Sequence, residues 1–180
     1  ESAGIDSMAA LASHMVFLGL GAINVMAAPM ISELYWHDRR AELRRLVRLA
    51  AIGVVMTAFP AIVLLALFGR PILRLFGPAF VTGYTSLLIL CCGQLINALA
   101  GSVGLLMTMT GHQRQAALIV AVTAALNVAL NLLLIPRYGM AGAAVATAVT
   151  TAAWNLAMLA YVWRVLGINP TILPLERWHR

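Results

Sequence analysis

Thr123, Asn127 and Asn131 recur every four residues along a stretch otherwise built mainly from Ala, Leu, Val and Ile. On a helix that spacing gathers them into one polar stripe. In lipid, such a stripe must face protein or a watery cavity. Two readings of it stay open. One is interhelical hydrogen bonding, worth about 0.6–2 kcal/mol per bond. The other is the wall of a polar substrate path. Gln94 and Asn97 form a second amide pair, followed by Gly101-Ser102 and Gly104, which support close packing or a bend. His14 and Asn24 are a third polar site. His14 is the one His, Asp, Glu or Arg well inside an apolar stretch, readable as a hydrogen-bonded packing residue or as a proton carrier. The candidates for a polar path are therefore Gln94, Asn97, Thr123, Asn127, Asn131, His14 and Asn24.

The second chemistry is that of the guanidinium group. All 12 basic residues are Arg, and five of them fall within Arg39–Arg48. Arg40, Arg44 and Arg48 share a helical face, so the run reads as a surface helix with Asp38 as its N-cap. It is either a topology signal or a site for anionic lipid head groups. Arg70 and Arg74 form a smaller group. Arg44, Arg48, Arg70 and Arg74 are the candidates for a phosphate or diphosphate head group.

No catalytic constellation accompanies these groups. No apolar stretch holds an Asp or Glu, and no GxSxG elbow or His/Cys cluster of metal-ligand spacing occurs. Asp6, Glu33, Asp38 and Glu42 lie near the ends of apolar stretches, with no spacing for paired acid–base work. Cys91 and Cys92 are adjacent and match no redox or metal motif. The expectation is a protein that is not an enzyme and carries no metal or cofactor.

The elements that must position these residues follow from composition. Of 180 residues, 62% are hydrophobic and 10% charged, against about 25% charged in soluble domains. Mean hydropathy is +0.92. These values exclude a disordered chain and argue against a soluble enzyme. The net charge of +6 invites a nucleic-acid reading. The arginines, however, sit between apolar runs rather than on one polar face, so no nucleic-acid partner is expected and the partner is the bilayer.

A span needs roughly 20 apolar residues. Five stretches qualify: 7–31, 47–68, 84–110, 115–135 and 140–163. Period-two alternation is absent, which argues for helices over a β-barrel. Pro29 closes the first span and Pro60 predicts a kink in the second. Gly111-His112-Gln113-Arg114 separates the third and fourth, and Ile135-Pro136-Arg137-Tyr138-Gly139 makes a turn before the fifth. The fifth carries small residues at Gly142, Ala146 and Thr150, with Ala143, Thr147 and Thr151 beside them, a surface for close helix packing. Asn155 lies on the same side. Trp154, Tyr161 and Trp163 are candidate interfacial anchors.

This division puts nine arginines on one side (39, 40, 44, 45, 48, 114, 164, 177 and 180) and three on the other (70, 74 and 137). The positive-inside rule then places the C-terminus in the cytoplasm. Glu1–Ser7 carries two acids and no base, unlike a signal peptide. The chain is expected to be the C-terminal bundle of a longer protein.

The run Gly111-His-Gln-Arg-Gln, with Leu126-Asn-Val-Ala-Leu-Asn131-Leu-Leu-Leu-Ile-Pro136-Arg-Tyr-Gly139-Met-Ala-Gly142-Ala-Ala-Val-Ala-Thr147, resembles the C-terminal region of polysaccharide-biosynthesis membrane proteins. These are the Wzx-type flippases of the multidrug/oligosaccharidyl-lipid/polysaccharide exporter superfamily, which is MATE-like in fold. Phe68-Gly-Arg-Pro-Ile-Leu-Arg-Leu-Phe-Gly-Pro78 resembles the family's loop between helix pairs. Ala28-Pro29 with Glu33-Leu34 and the basic run resembles an earlier helix end.

The resemblance implies an all-α polytopic membrane bundle, the last five of roughly 12 to 14 helices in two similar halves. It implies a missing N-terminal transmembrane bundle as partner. It implies movement of a lipid-linked oligosaccharide, on a polyprenyl diphosphate, across a bacterial or archaeal cytoplasmic membrane by alternating access. The family is expected to carry basic residues inside its cavity, and none lies deep in these spans. A cation-coupled drug exporter of the same superfamily is the alternative, but it calls for membrane-embedded carboxylates. A non-transporting membrane scaffold is a third reading.

Overall fold

The computed structural model describes residues 25–171. His14, Asn24, Arg177 and Arg180 lie outside the described residues, as does most of the expected first span. The described residues are all-α. Helix α1 covers 25–36, α2 Arg40–Phe76, α3 Tyr84–Ala100, α4 Val103–Met109 and α5 Gln113–Tyr161. A 3₁₀ helix, Pro78–Gly83, joins α2 to α3, and a π turn, Val162–Leu166, extends α5. Three stretches are long and apolar enough to cross a membrane: Arg40–Leu75, Val81–Ala100 and Gln113–Leu166.

Two connections are closed by the same motif. Arg39 N donates to Leu34 O at 2.9 Å and Asp38 N to Tyr35 O at 3.1 Å, which ends α1 as a Schellman turn. Asp38 holds its left-handed position at φ 55°, a conformation Asp tolerates better than most residues. Asp38 is thus the C-terminal stop of α1 and not the N-cap of α2. Its carboxylate accepts from Arg40 Nε at 2.8 Å instead. The linker is so short that residue 38 has to make the turn. Between α4 and α5, His112 N donates to Met107 O at 2.8 Å, with Gly111 at φ 83°. The break expected at 111–114 is this one tight turn.

The basic run and the second span form a single 37-residue helix, about 55 Å long at 1.5 Å per residue. Pro60 and Pro71 both lie inside it. The segment 68–78 expected as a loop is helical to Phe76. Tyr84 Oη donates to Ala66 O at 2.6 Å and so ties the start of α3 to this part of α2.

The expected span 84–110 is not one helix. It stops at Ala100, and Gly101 turns to φ 71°, ψ −159° before α4 begins. A Cβ on Gly101 would lie 2.8 Å from Pro170 O and 3.2 Å from the Ala51 methyl. The break therefore accommodates the chain after α5, whose Ile168 and Pro170 are fully buried.

Helix α5 is a hairpin of two arms, 113–138 and 140–161, reversing at Gly139 (φ 54°, ψ −132°). Only glycine adopts this conformation readily. Pro136 stays within the first arm, so the expected five-residue turn narrows to one residue. A Cβ on Gly142 would run into the Leu134 carbonyl. This brings the arms together beside the turn. Gly93 similarly sets α3 against the second arm, where a Cβ would be 3.0 Å from Ala148 Cα.

The contacts sort the elements into two ends. At one end, Arg40 Nη1 reaches Leu166 O at 3.4 Å and Arg44 Nη2 reaches Gly167 O at 3.5 Å. There too the His112 and Tyr161 rings meet edge-on at 5.6 Å. At the other end, the Arg70 guanidinium lies 4.9 Å from the Tyr84 ring centre, and Gly83 lies beside Met140. Arg39, Arg40, Arg44, Arg45, Arg48, Arg114 and Arg164 thus gather at the first end, and Arg70, Arg74 and Arg137 at the second. The main core also sits toward the first end, with Ile31, Leu43, Leu106, Met107, Met158, Val162 and Ile168 all at 2% exposure or less.

Two glycine replacements separate the causes of the hairpin. Gly142→Ala is expected to destabilise by about 1–3 kcal/mol through overpacking. Gly139→Ala, with nothing within 4 Å of its Cβ, is expected to cost about the same through backbone strain alone. Thermal unfolding of each variant in detergent micelles measures both. If Gly142→Ala unfolds like the unchanged chain, the close approach of the arms is wrong.

Candidate functional site

Two polar networks lie between the ends. The first joins the arms of α5. Asn127 Nδ2 donates to Thr150 Oγ1 at 2.9 Å across the hairpin. Asn131 Nδ2 donates to both Asn127 O and Asn127 Oδ1, at 2.9 and 2.8 Å. Thr150 Oγ1 donates to Ala146 O at 2.8 Å, or alternatively to Thr147 O. Thr123 is half-buried and spends its hydroxyl within its own helix, on Ile119 O at 2.8 Å. The stripe expected from the four-residue spacing exists, but its members do different things. Asn127 and Asn131 support the hairpin. Asn131 also lines a shallow open groove of about 310 Å³ with Val128, Leu132, Ile135 and Pro136.

The second network joins α3 to the second arm. Asn155 Nδ2 donates to Asn97 Oδ1 at 3.0 Å and to Thr151 O at 2.9 Å. Asn97 Nδ2 donates to Gln94 Oε1 at 3.3 Å. The three amides form a ladder from an exposed side chain, Gln94, through half-buried Asn97, to Asn155, which is fully buried. Asn155 Oδ1 has no hydrogen-bond partner among the described residues. A buried acceptor left unpaired costs about 1–3 kcal/mol, so a donor reaching this atom would stabilise the ladder.

The sequence pairing of Gln94 with Asn97 is therefore seen as a contact. Asn155 is the member that the candidate set missed. Its signal was available: Thr147, Thr151 and Asn155 recur every four residues, as Thr123, Asn127 and Asn131 do. Trp154, expected among the interfacial anchors, is half-buried and packs near Gly104. Trp163 is 39% exposed, and Tyr161 is half-buried against His112.

The head-group candidates do not form one site. Arg44 and Arg48 lie at the first end, and Arg70 and Arg74 near the opposite end of the same helix. Residues 48 and 70 are about 33 Å apart along α2. No single diphosphate can touch both pairs. Arg70 is engaged over Tyr84, and Arg44 reaches the Gly167 carbonyl. Among the described residues no Asp, Glu or Arg side chain is hydrogen-bonded to either amide network. The networks can exchange hydrogen bonds with a neutral polar ligand but cannot offer a formal charge. Among the described residues no three His, Cys, Asp or Glu side chains come together to hold a metal.

Comparison with protein-family models, curated proteins and solved structures returned no match.

A double-mutant cycle on Asn127→Leu and Thr150→Val is expected to give a coupling of about 0.6–2 kcal/mol, read by thermal unfolding. Additive effects would mean that the two side chains do not bond. Asn97→Leu removes the acceptor for Asn155 Nδ2 and is expected to destabilise by about 1–3 kcal/mol. Gln94→Leu, at the exposed end of the ladder, is expected to stay within about 0.5 kcal/mol of the unchanged chain by the same measurement.

Proposed function

We infer that this chain is the C-terminal part of a multi-pass membrane transporter rather than an enzyme. In this reading its substrate is a lipid-linked oligosaccharide, carried on a polyprenyl diphosphate for surface polysaccharide synthesis. The observation that carries the reading is the Gln94–Asn97–Asn155 ladder. It opens toward the surface of an otherwise apolar helix face. An exposed Gln at mid-helix is unfavourable against hydrocarbon. Facing a polar cavity it is favourable, because amides replace water for sugar hydroxyls without adding charge. A sugar cannot cross hydrocarbon unaided, since each unpaired polar group costs several kcal/mol.

The rest of the molecule fits this role. The core is concentrated near one end, and most of the first arm of α5 stays exposed: Leu118, Val122, Leu132 and Leu133 are each more than 60% accessible. Such faces suit lipid and a second, N-terminal bundle that would rock against this one. The arginine-rich end is the cytoplasmic end under the positive-inside rule, which puts the C-terminus in the cytoplasm of a bacterial or archaeal cell. The Wzx-type resemblance of 111–147 supplies the substrate class.

A second reading is a membrane scaffold that transports nothing. The Asn127–Thr150 bond favours it, because that part of the polar stripe is spent on packing.

The readings part on variants of the full-length protein in cells, at equal membrane levels. Gln94→Leu with Asn97→Leu is expected to lower surface polysaccharide export about tenfold, equivalent to 1.4 kcal/mol on the transport barrier. Normal export from the correctly folded variant would remove the ladder from the path and leave the scaffold reading.

A further inference from the structure

The arginines at the basic end are not equivalent. Arg39 pairs with Glu42, and Arg40 with Asp38 at 2.8 Å. Arg40 also lies 5.1 Å from the Tyr35 ring centre, and Arg44 leans on Gly167 O. Arg45 and Arg48 are exposed, and no described carboxylate lies within ion-pair distance of either. Leu43, Val47, Ala50 and Val54 are buried and mark the inward face of α2. Arg45 and Arg48 are on the outward side, one turn apart. Their Cβ atoms are about 5–6 Å apart at that spacing, a separation two guanidinium groups can bridge with one phosphate.

Below them the same face changes character within a single turn. Leu49 is 57% exposed, Ile52 38%, Met56 69% and Phe59 51%. The outward surface of α2 therefore reads as two guanidiniums, with no ion-pair partner among the described residues, above an apolar track. Helical side chains lean toward the N-terminus, so both arginines point away from the track and toward water. Charge above and hydrocarbon below is the profile of a phospholipid.

We propose that Arg45 and Arg48 dock the phosphate of an anionic phospholipid, whose acyl chain lies along Leu49, Ile52, Met56 and Phe59. The guanidinium forks donate paired N–H groups to the phosphate oxygens. The surface of the leaflet adds its own negative potential. This proposal rests on the membrane placement of α2 and is independent of any transported substrate.

The test uses the full chain in phosphatidylcholine vesicles. Spin-labelled phosphatidylglycerol or spin-labelled phosphatidylcholine is added, and the motionally restricted fraction of each is measured. The expected result is a preference for phosphatidylglycerol of about fivefold per guanidinium. It should be lost in Arg45→Gln with Arg48→Gln and retained in Arg70→Gln with Arg74→Gln. Inorganic phosphate should compete weakly, because it has no chain to lay on the track. An unchanged preference in the first double variant overturns the proposal, as does complete competition by inorganic phosphate. Both arginines are exposed, so their loss leaves the core intact. Arg45→Lys with Arg48→Lys checks this and should retain part of the preference. A chain that is washed from the vesicles by carbonate overturns the membrane placement, and the docking site with it.

Discussion

In a chain this apolar, a polar group between the two ends has to be paired by the bundle itself. Water is not available inside hydrocarbon, and an unpaired donor or acceptor there is expensive. That constraint explains most of the arrangement. Asn127 reaches across the hairpin to Thr150, and Asn155 reaches α3 through Asn97. Each network joins two elements: the arms of α5 in the first, α3 and the second arm in the other. The exception is Asn155 Oδ1, fully enclosed and without a partner among the described residues. It lies in the ladder whose outer end, Gln94, remains exposed.

Glycine sets where the chain reverses, and small residues set how closely the reversed segments approach. Gly139 supplies a backbone conformation that side-chain-bearing residues avoid, and Gly142 lets the arms touch at once beyond the turn. At Gly101 the two demands coincide. The backbone is left-handed, and the carbonyl of Pro170 occupies the space a Cβ would need. The C-terminal segment is thereby tucked into the broken end of α3. Arg40 and Arg44 reach its carbonyls from α2, so the arginine-rich helix also serves as a clasp.

Charge is distributed by a different rule. Ion pairs of Arg39 and Arg40 are exposed and contribute little, about 0–1 kcal/mol each. They take up Asp38 and Glu42, and no other described carboxylate lies within ion-pair distance of Arg45 or Arg48. Positive charge is thus presented on the outward side of α2, just above its exposed apolar side chains. On the opposite end Arg70 lies over the Tyr84 ring, whose electron-rich face attracts the guanidinium. The two groups of arginine are alike in composition and unlike in setting.

Periodicity and composition alone determined the all-α class, the long apolar helices, the sorting of arginines into two groups and the turns at Gly111 and Gly139. Each of these follows from local chemistry: apolar length, the position of glycine, and spacing on a helix. The pairing of Gln94 with Asn97 was legible for the same reason, since three residues apart on a helix means neighbours. Partners distant in the chain were not legible. Asn155 with Asn97, Tyr84 with Ala66, and Pro170 against Gly101 are set by how helices lie on one another. The continuity of α2 through Pro71 and the break of α3 at Gly101 were decided there too. A proline is tolerated inside a helix, and a glycine ends one, according to what packs beside it. That information resides in the tertiary contacts and in no window of sequence.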